Sequence, residues 1–188
     1  GPMGWRKLCC RVLEAMADVA PKHANRPIAP NLIQNLDPVP THRPRKATLL
    51  TKVAVECAVG KRDQVYIFGT DFNTPDGTGV RDYIHVEDLA SAHIKALDYL
   101  RNGGTSITLN AGYGHGYSVR EVLEMVGKVN GKPLKTIETD RRAGDPPALI
   151  AKATKIRDVL GWQPRHDNLE TIVSSALNWE RKLLERNS

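Results

Sequence analysis

Val65–Leu100, VYIFGTDFNTPDGTGVRDYIHVEDLASAHIKALDYL, decides how the rest of the chain is read. Val65 to Phe68 is a short apolar run with strand character. The breakers Gly69, Asn73-Thr74-Pro75-Asp76-Gly77 and Gly79 follow, and such residues force tight turns. Val80 to Val86 is predicted as a second strand and a helix is predicted from about Glu87. Side chains alternate along a strand, so Arg81, Tyr83 and His85 are expected on one face, with Asp82 and Ile84 on the other. A face of Arg, Tyr and His fed by a Gly-rich loop suits a phosphorylated ligand.

Working outward, Thr48 to Val59 is a predicted helix with Val53, Ala54, Cys57 and Ala58 as its buried stripe, stopped by Gly60. The helix from Glu87 to Leu100 is expected to bury Leu89, Ala92, Ala96, Leu97 and Leu100. His93, near that stripe, reads as a satisfied histidine rather than a ligand. After Asn102-Gly103-Gly104, Thr105 to Asn110 is predicted as a strand. Ser118 then opens a helix, with Glu121 completing a capping box. Strand, Gly112-x-Gly114-x-Gly116, capped helix and a strand at Leu134 to Glu138 outline a dinucleotide-binding unit, with Glu138 placed as a ribose-binding acid. Against that, the last glycine spacing is wrong and His115 and Tyr117 are bulky for a pyrophosphate turn. Thr139 to Pro147 is a loop with paired arginines, Arg141 and Arg142. It could clamp a diphosphate bidentately or be a solvated basic loop. Helices are predicted over Thr154 to Leu160 and Leu169 to Leu184. The second is expected to start at an Asp167-x-x-Glu170 capping box and to bury Leu169, Ile172, Val173, Ala176 and Leu177.

The 188 residues suffice for one domain with a real core. The net charge of +6 is dispersed rather than striped, which favours a solvated basic surface and no nucleic-acid partner. Cys9, Cys10 and Cys57 form no metal or disulfide framework, which points to reduced thiols and a cytoplasmic protein. No apolar run approaches the ~20 residues of a membrane span, so no membrane partner is expected. Gly1-Pro2 reads as a tag scar, residues 1–2, before Met3. Residues 3–47 form a second unit. Trp5 to Ala20 has helical spacing of Leu8, Val12, Leu13 and Met16. The stretch after it is rich in proline (Pro21, Pro27, Pro30, Pro38, Pro40, Pro44), which opposes both helix and central strand. This arm is a linker or, on the alternative reading, the contact surface of a non-catalytic binding or scaffolding module.

Phe68-Gly69-Thr70-Asp71, Thr74-Pro75-Asp76-Gly77-Thr78 and Val80-Arg81-Asp82-Tyr83-Ile84-His85-Val86 with Asp88-Leu89-Ala90 resemble the UDP-glucose 4-epimerase family. So do Arg141-Arg142-Ala143-Gly144-Asp145-Pro146-Pro147-Ala148 and Leu160-Gly161-Trp162. The resemblance runs from about Thr48 to Leu184 and fades before it. It implies an extended short-chain dehydrogenase/reductase. The expected fold class is α/β, a partial Rossmann-like sheet plus the C-terminal substrate-binding part, over residues 48–188.

Members of that family bind NAD in an N-terminal Rossmann half. There a tyrosine, helped by a lysine and a serine, takes the proton from the sugar 4-hydroxyl as NAD accepts the hydride, and the 4-ketose turns over and receives the hydride back on its other face. The chain has no Gly-x-x-Gly-x-x-Gly opening and no Tyr-x-x-x-Lys. No cofactor is therefore expected on this chain, NAD belonging to the full-length family, and no catalytic residue beyond Lys7 as a relic lysine, Met3 standing where the tyrosine would be. No metal site is expected. What the resemblance leaves is the substrate side: Leu50, Tyr66, Ile67 and Phe68 (uracil), Arg81, Tyr83, Tyr113, Arg142 (diphosphate) and Asp145 (ribose). Leu49 and Leu149 replace polar residues common in relatives. The expected partners are a UDP-sugar and, through the unpaired edge of Thr105 to Asn110, a second copy of the chain. The expected function is that of a truncated UDP-glucose 4-epimerase-like protein, inactive alone.

Overall fold

The computed structural model of the chain describes residues 49–186. The helix expected at Trp5 to Ala20, Lys7 and the proline-rich arm lie outside the described residues. The described elements are α1 (Leu50–Ala58), β1 (Val65–Phe68), β2 (Val80–Arg81), α2 (Val86–Arg101), β3 (Tyr117–Ser118), α3 (Val119–Asn130), β4 (Thr136–Thr139), β5 (Ala148–Leu149), α4 (Thr154–Leu160) and α5 (Leu169–Glu185). The chain is α/β. β1 and β4 pair in parallel, Val65 opposite Thr136 and Phe68 opposite Thr139. A second small sheet runs β3-β2-β5, antiparallel on one side of β2 and parallel on the other.

Two apolar cores hold these layers. The larger joins α1, β1, α3 and α5 through Ala54, Val55, Val65, Ile67, Val122, Val126, Val173 and Leu177. Each fully buried aliphatic side chain there contributes about 1.5–3 kcal/mol. The smaller core packs Ala92 of α2 on Leu109, Ala153, Ile156 and Trp162. The Trp162 indole N–H is satisfied by Ser91 Oγ at 2.9 Å, as a buried donor requires. One acid sits inside the fold. Glu180 is almost fully buried and receives Lys52 and Lys61, the latter at 2.9 Å. Burial opposes its ionisation, but the two ammonium groups outweigh that and hold its carboxyl below the usual range.

Several expectations hold at the level of single atoms. Ser118 and Glu121 form the reciprocal capping box that starts α3. Gly60, in the left-handed conformation, follows the end of α1. His93 is satisfied by the Leu89 carbonyl at 2.7 Å.

Others are corrected. α5 is capped by Asn168, whose Oδ1 accepts the Thr171 N–H at 2.9 Å, and not by an Asp167 box. In α1 the buried pair is Ala54 and Val55; Val53, Cys57 and Ala58 are only half-buried against the core. The strand expected at Val80 to Val86 stops after Arg81, because β3 and β5 offer it only two residues each. His85 then caps α2, its Nδ1 accepting the Glu87 N–H. Arg81, Tyr83 and His85 consequently do not form a common strand face. Thr105 to Asn110 is not a strand among the described residues. Leu109 is buried and Ile107 packs beside it, so the inward alternation is present, but no described backbone pairs with it.

Candidate functional site

β1 and β4 end side by side, and the C-terminal ends of parallel strands are where α/β proteins gather ligands. The chain leaving β1 turns sharply there. Gly77 sits at φ +77°, and a Cβ on it would lie 2.1 Å from the Thr70 carbonyl oxygen, so only glycine fits. Asp76 braces the same turn by accepting the N–H and hydroxyl of Thr78 at 2.8 and 2.7 Å, and it also takes the Ser118 hydroxyl. Burial works against this carboxylate, yet those hydrogen bonds prevail and lower its pKa.

The chain leaving β4 carries the arginines. Arg141 is neutralised at 2.6 Å by Asp71 and lies over Phe72, 5.3 Å from the ring centre. It lines a depression of about 470 Å³ with Gly69, Thr70, Asp71, Glu138, Thr139 and Asp140. Arg142 is different. Its guanidinium stacks on Phe68, 3.7 Å from the ring centre, and it has no carboxylate partner among the described residues. Asp145 N–H donates to the Arg142 carbonyl at 3.2 Å across Ala143 and Gly144, with Gly144 at φ +80°. That is a tight turn with glycine in its left-handed position, and it sets Arg142 and Asp145 at its two ends.

The other predicted site residues are placed as follows. Phe68 and Tyr66 are partly exposed on the outer face of β1, ring centres 6.3 Å apart. Gln64 Nε2 donates to the Tyr66 hydroxyl at 2.8 Å. Ile67 points the opposite way, into the larger core, so only its backbone could meet a ligand. Leu50 is half-buried against that core at the start of α1. Arg81 donates to the neighbouring Val80 carbonyl at 2.7 Å. Tyr83 packs on the larger core, and burial above all pushes its hydroxyl pKa far up. The Tyr113 phenol is buried, donates to Asp88 Oδ2 at 2.7 Å and accepts the His85 N–H at 3.0 Å. The geometry thus brings Phe68, Tyr66, Arg142 and Asp145 to one end of the β1–β4 pair. It leaves Leu50, Ile67, Tyr83 and Tyr113 with side chains committed to packing.

Comparison with known proteins places the chain. A protein-family model described as GDP-mannose 4,6 dehydratase matches residues 37–175. The UDP-glucose 4-epimerase of Azospirillum brasilense is 56% identical over 137 residues, covering 73% of this chain and 39% of that protein. The chain belongs to this epimerase and dehydratase family. A solved UDP-Glc/GlcNAc 4-epimerase of Campylobacter jejuni superposes with a TM-score of 0.67 at 54% identity, over 76% of this chain and 43% of that one. The UDP-glucose 4-epimerase of Bifidobacterium longum, solved with NAD+ and UDP, gives a TM-score of 0.67 at 42% identity, over 71% of this chain and 39% of that one. The chain spans about two fifths of the length of the curated relatives it matches.

The Gly112–Gly116 turn, which in the sequence outlines a dinucleotide-binding unit, is closely packed. A Cβ on Gly112 would lie 2.6 Å from Asp82 Oδ2, and one on Gly116 2.7 Å from Val80. Gly112 and Gly116 serve close packing. Glu138, placed by spacing as a ribose acid, instead pairs with Arg120 at 2.5 Å.

The sequence reading passed over the residues that build this region. Asp82 accepts the backbone N–H groups of Tyr113, Gly114 and Ala151 at 3.1, 3.0 and 3.3 Å. Asp88 accepts those of Arg165 and His166 at 2.8 and 2.9 Å, besides the Tyr113 hydroxyl. Burial disfavours the Asp88 anion, but these donors hold its carboxyl below the usual range. The one available signal was Asp82 on the face opposite Arg81. His85, Glu87 and His166 also converge, with donor atoms within 4.8 Å of one another. However, His85 Nδ1 accepts the Glu87 N–H, which leaves its Nε2 to donate to Ser175 Oγ at 2.9 Å. Neither ring nitrogen is free to ligate.

Proposed function

We propose that residues 48–188 act as the nucleotide-sugar-binding part of a UDP-glucose 4-epimerase-like protein. The carrying observation is Arg142, whose guanidinium stacks on Phe68 with no carboxylate neutralising it among the described residues, and whose backbone turn closes at Asp145. Its adjacent neighbour Arg141 is already spent on Asp71. A guanidinium so placed suits bidentate contact with a diphosphate. Asp145 then serves the ribose, and the β1 end (Tyr66, the Ile67 backbone, Phe68) serves the base. Leu50, Arg81, Tyr83 and Tyr113 are assigned to the substrate side by the family resemblance. The UDP bound in the Bifidobacterium longum relative supports this choice of substrate class.

On its own the 188-residue chain is proposed not to epimerise, since it carries no Tyr-x-x-x-Lys pair to move the proton at the sugar 4-hydroxyl. Incubation with NAD and UDP-galactose should release no UDP-glucose; turnover would refute this half of the proposal. Isothermal titration calorimetry should show micromolar binding of UDP and UDP-sugar that disappears in Arg142→Ala. Unchanged binding in that variant would remove Arg142 from the site.

The chain is further proposed to self-associate through Thr105 to Asn110, a segment that no described strand pairs with and whose outward residues are exposed. Sedimentation at micromolar concentration should show a species larger than a monomer. A strictly monomeric profile would dispose of this contact.

A further inference from the structure

We infer that the open edge of β4 is an interface between two copies of this chain, paired antiparallel with Thr136 of one opposite Thr136 of the other. The inference is independent of the nucleotide site and of the contact proposed for Thr105 to Asn110. β4 pairs with β1 along one edge, and no described strand takes the other. Val65 and Gly69 donate their N–H groups to the Lys135 and Thr139 carbonyls. Backbone groups alternate sides along a strand, so those of Thr136 and Glu138 are directed at the open edge. An unpaired edge of this kind is a template for another strand. Beneath it lies a groove of about 600 Å³ lined by Ile67, Leu123, Pro133, Leu134 and Thr136. The inner face of an added strand would roof that groove.

Charge selects a second copy as the occupant. The segment Lys132-Pro133-Leu134-Lys135-Thr136-Ile137-Glu138-Thr139-Asp140 is cationic at its start and anionic at its end. Run antiparallel to itself, it sets unlike charges together. A pairing centred on Glu138 would oppose two carboxylates, which is unfavourable. One centred on Ile137 would leave Leu134 facing Asp140. Centred on Thr136, it places Lys132 of each copy against Asp140 of the other, and the two threonines form a favourable cross-strand pair. Lys132 and Asp140 are exposed, and neither has an ion pair among the described residues. The product is a continuous four-stranded sheet, β1-β4-β4-β1, with the two grooves joined beneath it.

The test uses the full chain and reads self-association by sedimentation. Lys132→Glu and Asp140→Lys each turn two exposed pairs from attraction to repulsion, and each alone should weaken association about tenfold. The double variant should return to within about threefold of wild type. Thr136→Pro removes a donor from the open edge, where proline is tolerated. It should leave the melting temperature near wild type and lower the sedimenting mass. Under mild oxidation Thr136→Cys should be trapped as a dimer bridged at that position, as peptide mapping would show, because directly opposed residues lie within disulfide range. Glu138→Cys should not bridge to itself, its two copies standing about 14 Å apart along the strands. Equal association of the single and double charge variants would overturn the inference. So would an unchanged mass in Thr136→Pro, or bridging at Glu138→Cys as readily as at Thr136→Cys. A strictly monomeric wild type would remove this interface together with the Thr105 to Asn110 contact. All of these outcomes leave the nucleotide site standing.

Discussion

The end of the β1–β4 pair and the knot around Asp88 are both built from charged and aromatic residues, yet they are opposites. At Asp88 every polar group has its partner. One buried carboxylate takes two backbone N–H groups and a phenol, and Asp82 takes three backbone N–H groups nearby. At Arg142 the guanidinium rests on a ring and offers its edge to solvent. The first arrangement joins segments far apart in the chain; the second, on the proposed function, is open to a ligand. Charge alone does not distinguish structure from function here. Whether hydrogen-bonding capacity is already used does.

Substitutions should separate the two regions cleanly. The largest effect is expected from Asp88→Ala, which strands three donors and should destabilise by about 3 kcal/mol in urea melts, with UDP affinity retained in the folded fraction. The same carboxyl sets a pH dependence. Its folded pKa is depressed, so its stabilisation is present above the unfolded value of about 4 and is lost as pH falls through the folded pKa. Wild-type urea midpoints should therefore drop below about pH 4, and Asp88→Ala should flatten that drop. Next comes Arg142→Ala, expected to cost about 2 kcal/mol of UDP affinity with stability unchanged within about 0.5 kcal/mol. A matching fall in melting temperature would erase the distinction between the regions. Gly144→Ala meets no neighbouring atom, so only the positive φ opposes it. About 1 kcal/mol of stability should be lost, and binding should weaken as the Arg142–Asp145 turn relaxes. The smallest effect belongs to the exposed Lys128–Glu170 pair. Lys128→Ala should change neither melt nor titration by more than about 0.5 kcal/mol.

What could be read from the chain follows the range of the forces involved. Local signals were legible. Helical periodicity located α1 to α5 within a residue or two, and Ser118 with Glu121 announced the start of α3 as an i to i+3 pattern. The turn chemistry of Asn73 to Gly79 marked a sharp reversal, which Gly77 makes. What was missed depends on partners distant in sequence. Asp88 is 77 and 78 residues from the two N–H groups it accepts, so no spacing rule could reveal it. The strand expected at Thr105 to Asn110 has the right alternation, but a strand is defined by pairing, and pairing is a property of the neighbour. In the candidate site, the residue types at Arg142 and Asp145 were readable. The stacking of Arg142 on Phe68 was not, because it joins the end of β1 to the loop after β4, which only the β1–β4 register brings together.

That register has a kinetic consequence. Thr139 Oγ1 reaches back 72 residues to the Ile67 carbonyl at 3.3 Å, and the two strands meet only after the helices between them have been gathered. Long-range parallel pairing of this kind closes late in folding. β4 is exposed along most of its length, so the pair should also be the first to open under native conditions. Amides of Thr136 to Thr139 should accordingly exchange with deuterium sooner than those of α3 and α5, and a bound nucleotide bridging the two strand ends should slow them selectively.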